Sequence, residues 1–267
     1  MKYKLLAADM DGTLLNDNRE LTPRTVAALR KMVEAGIWFV PSTGRPLSRM
    51  GMISSLFDED MPFILYNGAM VAMHLSGEVL HSVSLSPDTA KEVYQLGQER
   101  DLSIALWQNE KLYFNRDCPF TRQYGELHGS NPNLISEKSD LESLAQQGIT
   151  KILWIDHPSR IINFFKEMAA HFGDSLNCHP SRPEFLEFVH AAASKAAAME
   201  VIGARLGVSQ AEMVAIGDGY NDLSMLQYAG FSVAMGNAPG EIKAVCNHVT
   251  CSNNEDGVAV FIEKHLL

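Results

Sequence analysis

Two aspartates near the N-terminus have the residue type and the spacing of a catalytic pair. Asp9 and Asp11 follow a short apolar run over residues 5–8, and Gly12 comes directly after them. A continuous apolar run that ends in a turn signal is typical of a strand buried on both faces of a parallel sheet. Open α/β sheets bind their ligands just outside the carboxyl ends of such strands. One carboxylate could therefore face a bound group while the other approaches it from the side.

Further polar groups stand where the same sheet edge could collect them. Thr43, Gly44 and Arg45 follow a second predicted strand, and Asp218 follows another. Lys195 lies at the start of a predicted helix. A cation is slightly unfavourable there, so its placement indicates a specific role. Because parallel strands place their carboxyl ends along one edge, these groups can meet although they are far apart in the sequence.

The carboxylates of this set predict a bound cation. Clustered carboxylates repel each other and raise one another's pKa, so they cannot share a site without added positive charge. Oxygen ligands on loops are typical of Mg²⁺, which keeps part of its water shell and also binds phosphate. The residues therefore predict a magnesium site that receives a phosphorylated ligand.

Composition argues against several other functions. The 267 residues include 22 Lys and Arg against 32 Asp and Glu, a formal net charge of −10. Such a surface repels nucleic acid and anionic lipid, and no basic cluster offsets that repulsion. No apolar stretch approaches the roughly 18 residues of a membrane span, and no secretory leader is recognisable. We expect a cytoplasmic protein, monomeric or weakly dimeric, that binds neither nucleic acid nor membrane.

The apolar pattern predicts an α/β protein with a doubly wound, mostly parallel, Rossmann-like core sheet. Within the core, Thr22 and Pro23 have the types of an N-cap and a first helical residue, and a helix is predicted over 51–60. The pattern changes near Ser84, and the part that follows predicts an inserted α+β cap, with a loop-rich stretch through Asn133. The predicted domains are a core of residues 1–84 and 191–267 and a cap of residues 85–190.

Taken in order, these motifs resemble the haloacid dehalogenase (HAD) superfamily of phosphohydrolases, and most of all its Cof-type sugar phosphatase branch, in which an α/β cap is inserted in the core. A single DxD motif is weak evidence, whereas several motifs in the right order are specific. The resemblance covers the whole chain. The matching stretches are Asp9-x-Asp11-Gly12-Thr13, Thr43-Gly44-Arg45, Asn67-Gly68-Ala69, Lys195, Gly217-Asp218-Gly219-Tyr220-Asn221-Asp222, Met235-Gly236-Asn237-Ala238 and Glu255-Asp256-Gly257-Val258-Ala259.

The resemblance implies a role for each motif. Asp9 would attack the substrate phosphorus and form an aspartyl-phosphate, and Asp11 would protonate the leaving oxygen and then deprotonate the hydrolytic water. Mg²⁺ would be held by Asp9, the main-chain carbonyl of Asp11, and Asp218, with Asp222 behind them. The implied phosphate ligands are Thr43, Gly44, Lys195 and Asn221. Arg45 would either bind phosphate or pair with an aspartate near the site.

The expected function is Mg²⁺-dependent hydrolysis of small phosphorylated metabolites, such as sugar phosphates or related cofactors. Two alternatives remain. A phosphotransferase or mutase on the same scaffold would pass the phosphoryl group to a sugar hydroxyl instead of water. A receiver-type signalling module would also use an aspartate, a threonine, a lysine and Mg²⁺, but Asp11 as a built-in base and the inserted cap both argue against it.

Overall fold

The computed structural model describes residues 2–127, 129 and 133–267. Met1 and positions 128 and 130–132, which belong to the predicted core and to the predicted cap with its loop-rich stretch, lie outside the described residues. The chain forms two compact units. The first is Met1–His81 together with Ser194–Leu267, and the second is Ser82–Ala193.

The described residues of the N-terminal segment form five strands and two α-helices. Thr22 caps the first helix, since its side chain accepts a hydrogen bond from the Thr25 amide, and Pro23 is the first helical residue, as predicted. The elements are β1 (Leu5–Asp9), α1 (Pro23–Glu34), β2 (Trp38–Ser42), α2 (Gly51–Ser54), β3 (Pro62–Leu65), β4 (Met70–Met73) and β5 (Val79–Ser82).

The helix predicted over 51–60 is wrong in its length. Only Gly51–Ser54 is α-helical. Asp60, at the end of the predicted helix, instead accepts hydrogen bonds from the amides of Leu75 and Ser76 at 2.8 and 3.3 Å. Its carboxylate therefore stabilises the turn between β4 and β5, a role that local periodicity does not reveal.

Among its described residues, the second unit contains one sheet and four α-helices. Its strand order is β10-β11-β9-β6-β7-β8, and the pairings are antiparallel except that of β7 with β8. A helix occupies Pro119–Leu127, where the sequence predicted a loop. The elements are α3 (Pro87–Glu99), β6 (Ser103–Gln108), β7 (Lys111–Phe114), α4 (Pro119–Leu127), β8 (Asn133–Leu134), α5 (Lys138–Gln147), β9 (Lys151–Ile155), α6 (Pro158–Phe172), β10 (Leu176–Arg182) and β11 (Phe185–His190).

The C-terminal segment completes the first unit. Ser194 caps its first helix by accepting from the Ala197 amide, and Gly207 ends that helix in the left-handed conformation. The elements are α7 (Lys195–Leu206), β12 (Met213–Gly217), α8 (Leu223–Tyr228), β13 (Phe231–Ala234), α9 (Gly240–Val245), β14 (His248–Val249) and α10 (Gly257–His265).

The sheet of the first unit has the strand order β14-β13-β12-β1-β2-β3-β4-β5. The pairings from β14 to β3 are parallel, and β4 is antiparallel to β3. One face packs against α7, α8 and α9. On the opposite face α10 places Phe261 on Phe231, with ring centroids 6.2 Å apart. The predicted α/β class with a mostly parallel core sheet is confirmed.

The register places the ends of three strands side by side. β1 lies between β12 and β2, with Ala8 opposite Ile216 and Asp9 opposite Ser42. The carboxyl ends of β1, β2 and β12 therefore form one continuous edge, as the sequence predicted. Across residues 2–127, 129 and 133–267, no helix combines the length and the apolar character needed to cross a membrane.

Candidate active site

Lys195 lies at the centre of a buried group of charges. Its Nζ is 2.5 Å from Oδ1 of Asp9 and 2.6 Å from Oδ1 of Asp222, and it also donates to the carbonyl oxygen of Ser42 at 3.0 Å. The side chain is fully buried. Since an ammonium has three protons, these three acceptors use all of them. This explains the lysine at the first position of α7.

The carboxylates around Lys195 carry excess negative charge. One oxygen each from Asp9, Asp218 and Asp222 lies within 4.8 Å of the others. Burial, reinforced by the charge of Asp222, raises the pKa of Asp9 well above its usual value, although Lys195 opposes this. Burial and Asp222 also raise the pKa of Asp218 to about 6. Three carboxylates against one ammonium fit a hard divalent cation with oxygen ligands.

Asp222 supports its neighbours rather than presenting an open ligand. Its Oδ1 faces Lys195, and its Oδ2 accepts from the amides of Asp218 and Gly219 at 3.0 Å each. A Cβ at Gly217 would lie 2.6 Å from the Asp222 side chain, so only glycine leaves room there. Asp222 thus closes the turn that carries Asp218 and also holds Lys195.

Asp218 is tied to the loop that follows β1. Thr13 donates from Oγ1 to Oδ1 of Asp218 at 2.9 Å. Gly12 has a φ of +83°, and a Cβ there would lie 2.5 Å from Oδ2 of Asp218. Gly12 is therefore required both for the backbone conformation and for the close approach. The role of Thr13 was not recognised from the sequence, although the residue belongs to the first motif.

Asp11 lies outside the buried group. Its side chain is 51% exposed and forms a bidentate pair with Arg45, whose Nε and Nη2 lie 3.0 and 2.5 Å from its two oxygens. Of the two alternatives for Arg45, the structure contains the pairing with an aspartate. The pair keeps the Asp11 carboxylate beside the site while leaving it accessible to solvent.

The predicted phosphate ligands differ in their surroundings. Thr43 is buried at the end of β2, and its Oγ1 accepts from the Arg45 amide at 3.2 Å. Gly44 follows it beside Asn67, whose Nδ2 would lie 3.0 Å from a Cβ at Gly44. Asn221 is exposed in the turn Tyr220–Asp222. The structure therefore brings Lys195 into contact with Asp9, leaves Thr43 and Gly44 on the neighbouring strand end, and keeps Asn221 at the rim.

A left-handed turn after β3 positions the start of α7. Tyr66, Asn67 and Gly68 have φ values of 49°, 57° and 98°. A Cβ at Gly68 would overlap the carbonyl oxygen of Ser194, the residue before Lys195. From the sequence, Asn67-Gly68 is predicted only as a strand end and part of a family motif, because the contact joins segments far apart in the chain.

The family of the chain follows from comparison with known proteins. Residues 6–262 match the haloacid dehalogenase-like hydrolase family. The chain belongs to this family. YxeH of Bacillus subtilis is 35% identical over 99% of both chains. The predicted resemblance is confirmed, and the chain is a HAD-like hydrolase.

Two further relatives of this HAD-like hydrolase have names that include an activity. YitU of B. subtilis, named a 5-amino-6-(5-phospho-D-ribitylamino)uracil phosphatase, is 27% identical over 99% of this chain and 98% of its own. The structure of BT1666 from Bacteroides thetaiotaomicron, described among phosphatases of the HAD superfamily, matches with a TM-score of 0.83 and 26% identity, covering 99% of this chain and 96% of that one.

Replacing Gly68 should affect the site as well as stability. Gly36 is a matched control, because its φ is +86° but nothing lies within 4 Å of a Cβ there. Gly36→Ala should lower the free energy of unfolding by roughly 1–2 kcal/mol through backbone strain alone. Gly68→Ala should lower it further and also reduce kcat/KM, because the Ser194 carbonyl must shift and Lys195 with it.

Urea unfolding and steady-state hydrolysis of p-nitrophenyl phosphate provide the two readouts. A Gly68→Ala protein with the kcat/KM of the wild type would show that this turn does not set the position of Lys195.

Proposed function

We propose that this HAD-like hydrolase is a Mg²⁺-dependent phosphatase that acts on small phosphorylated metabolites through an aspartyl-phosphate on Asp9. The main support is the contact of Lys195 with Asp9 inside a buried group of carboxylates. That contact holds the Asp9 carboxylate at the end of β1, where the excess negative charge favours binding of a cation. Membership of a hydrolase family favours this function over a receiver-type signalling module.

Asp9 is the proposed nucleophile. Its Oδ1 is held by Lys195, while in the part of the chain that the structure describes its Oδ2 accepts no hydrogen bond. A lone pair of Asp9 forms the new bond to phosphorus as the bond from phosphorus to the leaving oxygen breaks. Lys195 keeps the carboxylate oriented and its charge balanced.

The proposed metal ligands are Asp9, the main-chain carbonyl of Asp11, and Asp218. The raised pKa values of Asp9 and Asp218 fit this assignment, because they come from burial and, after it, from the neighbouring charge of Asp222, and a bound cation would offset both. Bound Mg²⁺ supplies charge neutralisation, so that an anionic carboxylate and an anionic phosphate can approach each other.

Asp11 is the proposed acid and base. It gives a proton to the leaving oxygen and then removes one from the water that attacks the phosphorus of the intermediate. In its pair with Arg45, the Asp11 carboxylate accepts two hydrogen bonds. We therefore expect Arg45 to turn from Asp11 toward the phosphate when substrate binds, which frees Asp11 for proton transfer.

The remaining proposed ligands bind phosphoryl oxygens in the transition state. They are the Thr43 hydroxyl, the Gly44 amide, Lys195 and Asn221. Lys195 already has three acceptors, so a phosphoryl oxygen would replace one of them. Asn221, exposed at the rim, can reach a substrate without breaking a contact of the buried group.

We propose that the second unit, predicted as a cap over residues 85–190, supplies substrate selectivity. A phosphorylated ribityl compound of the kind named for YitU belongs in the first substrate panel, together with sugar phosphates and phosphorylated cofactors. All four cysteines are unpaired, which agrees with the proposed cytoplasmic location. Transfer to a sugar hydroxyl instead of water would mark the phosphotransferase alternative in the same panel.

Asp9→Asn should abolish formation of the phosphorylated protein. Wild type and Asp11→Asn, quenched in acid during turnover, should both carry phosphate that hydroxylamine removes. Asp11→Asn should lower kcat about 10²- to 10⁴-fold, the usual contribution of acid–base catalysis. The exposed Asp58→Asn variant is the matched control and should retain wild-type behaviour. Hydroxylamine-sensitive phosphate on Asp9→Asn protein would contradict the assignment of the nucleophile.

Removal of divalent metal should silence the enzyme. EDTA should reduce hydrolysis to background, and Mg²⁺ should restore it, whereas Ca²⁺ should not, because its longer bonds and higher ligand number suit a different site. Asp218→Asn should need more Mg²⁺ for half-maximal rate. Undiminished turnover in EDTA would rule out the metal part of the proposal.

A further inference from the structure

Asn237 lies in the loop after β13 and contacts the loops that follow β1 and β12. Its Nδ2 donates to the carbonyl oxygen of Gly12 at 2.8 Å and lies 3.4 Å from Oδ2 of Asp218. Its Oδ1 accepts from the amide of Asn253 at 3.0 Å. One exposed side chain therefore links the loop after β1, the loop after β12 and the C-terminal segment.

The orientation of the Asn237 amide is determined by its partners. The amide of Asn253 can only donate, so the atom that faces it is the oxygen. The carbonyl of Gly12 can only accept, so the atom that faces it is the nitrogen. The same nitrogen also faces Asp218. If the oxygen and the nitrogen of the amide group exchanged places, neither backbone partner would face a suitable atom.

The loop that carries Asn237 is itself held in place. Gly236 donates from its amide to the Cys251 carbonyl at 2.9 Å, and Lys243 donates to the Gly236 carbonyl at 2.6 Å. A Cβ at Gly236 would lie 2.7 Å from the Ser252 amide nitrogen, so glycine is needed for this approach. The anchored backbone leaves Asn237 little freedom to move away from Gly12.

We infer that Asn237 is a positioning residue for the metal ligand Asp218, an inference that rests on the proposed Mg²⁺-dependent function. Thr13 approaches Oδ1 of Asp218 and Asn237 approaches Oδ2. A carboxylate has about four lone-pair positions, so one donor on each oxygen fixes its plane and still leaves positions for a cation. The hydrogen bond from Asn237 to the Gly12 carbonyl holds the loop after β13 against the loop after β1.

The test is Mg²⁺ binding to the resting protein, measured by isothermal titration calorimetry with Mg²⁺ alone. Asn237→Ala should raise the Kd about 10- to 100-fold, the usual effect of losing a partner that orients a metal ligand. In steady state, added Mg²⁺ should restore much of kcat with little change in substrate KM. Asn254→Ala is the matched control and should leave the Mg²⁺ Kd unchanged. Asn254 lies on the same C-terminal loop as Asn253, and among the residues that the structure describes its side chain hydrogen-bonds only to Asp17.

A second variant and a folding measurement guard against a general structural defect. Asn237→Ser keeps a small polar side chain that is too short to span Gly12 and Asn253, so its Mg²⁺ affinity should match that of Asn237→Ala, while its unfolding temperature should fall no more than that of Asn254→Ala, which also loses two side-chain hydrogen bonds. Wild-type Mg²⁺ affinity in both variants would overturn the inference and leave the proposed function standing. A wild-type protein that takes up no Mg²⁺ would contradict the proposed function and, with it, the site that Asn237 is inferred to position.

Discussion

The rest of the site depends on one buried ammonium. Lys195 joins Asp9, Asp222 and the Ser42 carbonyl, and it comes 186 residues after Asp9 in the chain. Burying an ion without a partner costs several kcal/mol, and the contacts of Lys195 with both aspartates offset that cost. Although burial alone would lower the pKa of Lys195, its two carboxylate partners raise it above the usual value. The same contact joins the two separate segments that build the first unit.

Three glycines make the geometry around that ammonium possible. Gly12 leaves room for Asp218, Gly217 for Asp222, and Gly68 for the backbone that begins α7. In each case a Cβ would meet a charged group of the site or the backbone next to one. The loops at the carboxyl ends of β1, β3 and β12 therefore approach one another more closely than side chains would permit, and this closeness concentrates the negative charge that a cation would offset.

The parts of this site whose positions follow from strand topology alone could be predicted from the sequence. The sequence predicts that Asp9 and Asp218, which follow apolar strands, can meet, because parallel strands place their carboxyl ends along one edge. Contacts that depend on the approach of distant loops could not be predicted in this way. Asn237 belongs to a recognised motif, but its partners Gly12 and Asn253 meet only in the folded chain. The pairing of Arg45 with Asp11 rather than with phosphate could not be predicted either, since a guanidinium binds a carboxylate and a phosphate equally well.

The most direct test of the account is a crystal structure with Mg²⁺ and beryllium fluoride, which mimics a phosphoryl group bonded to a carboxylate. The account predicts a tetrahedral fluoroberyllate on Asp9, in contact with the Lys195 ammonium, with Mg²⁺ bound to Asp9 and Asp218. A fluoroberyllate bonded to any other residue, or one that lies out of reach of Lys195, would contradict it.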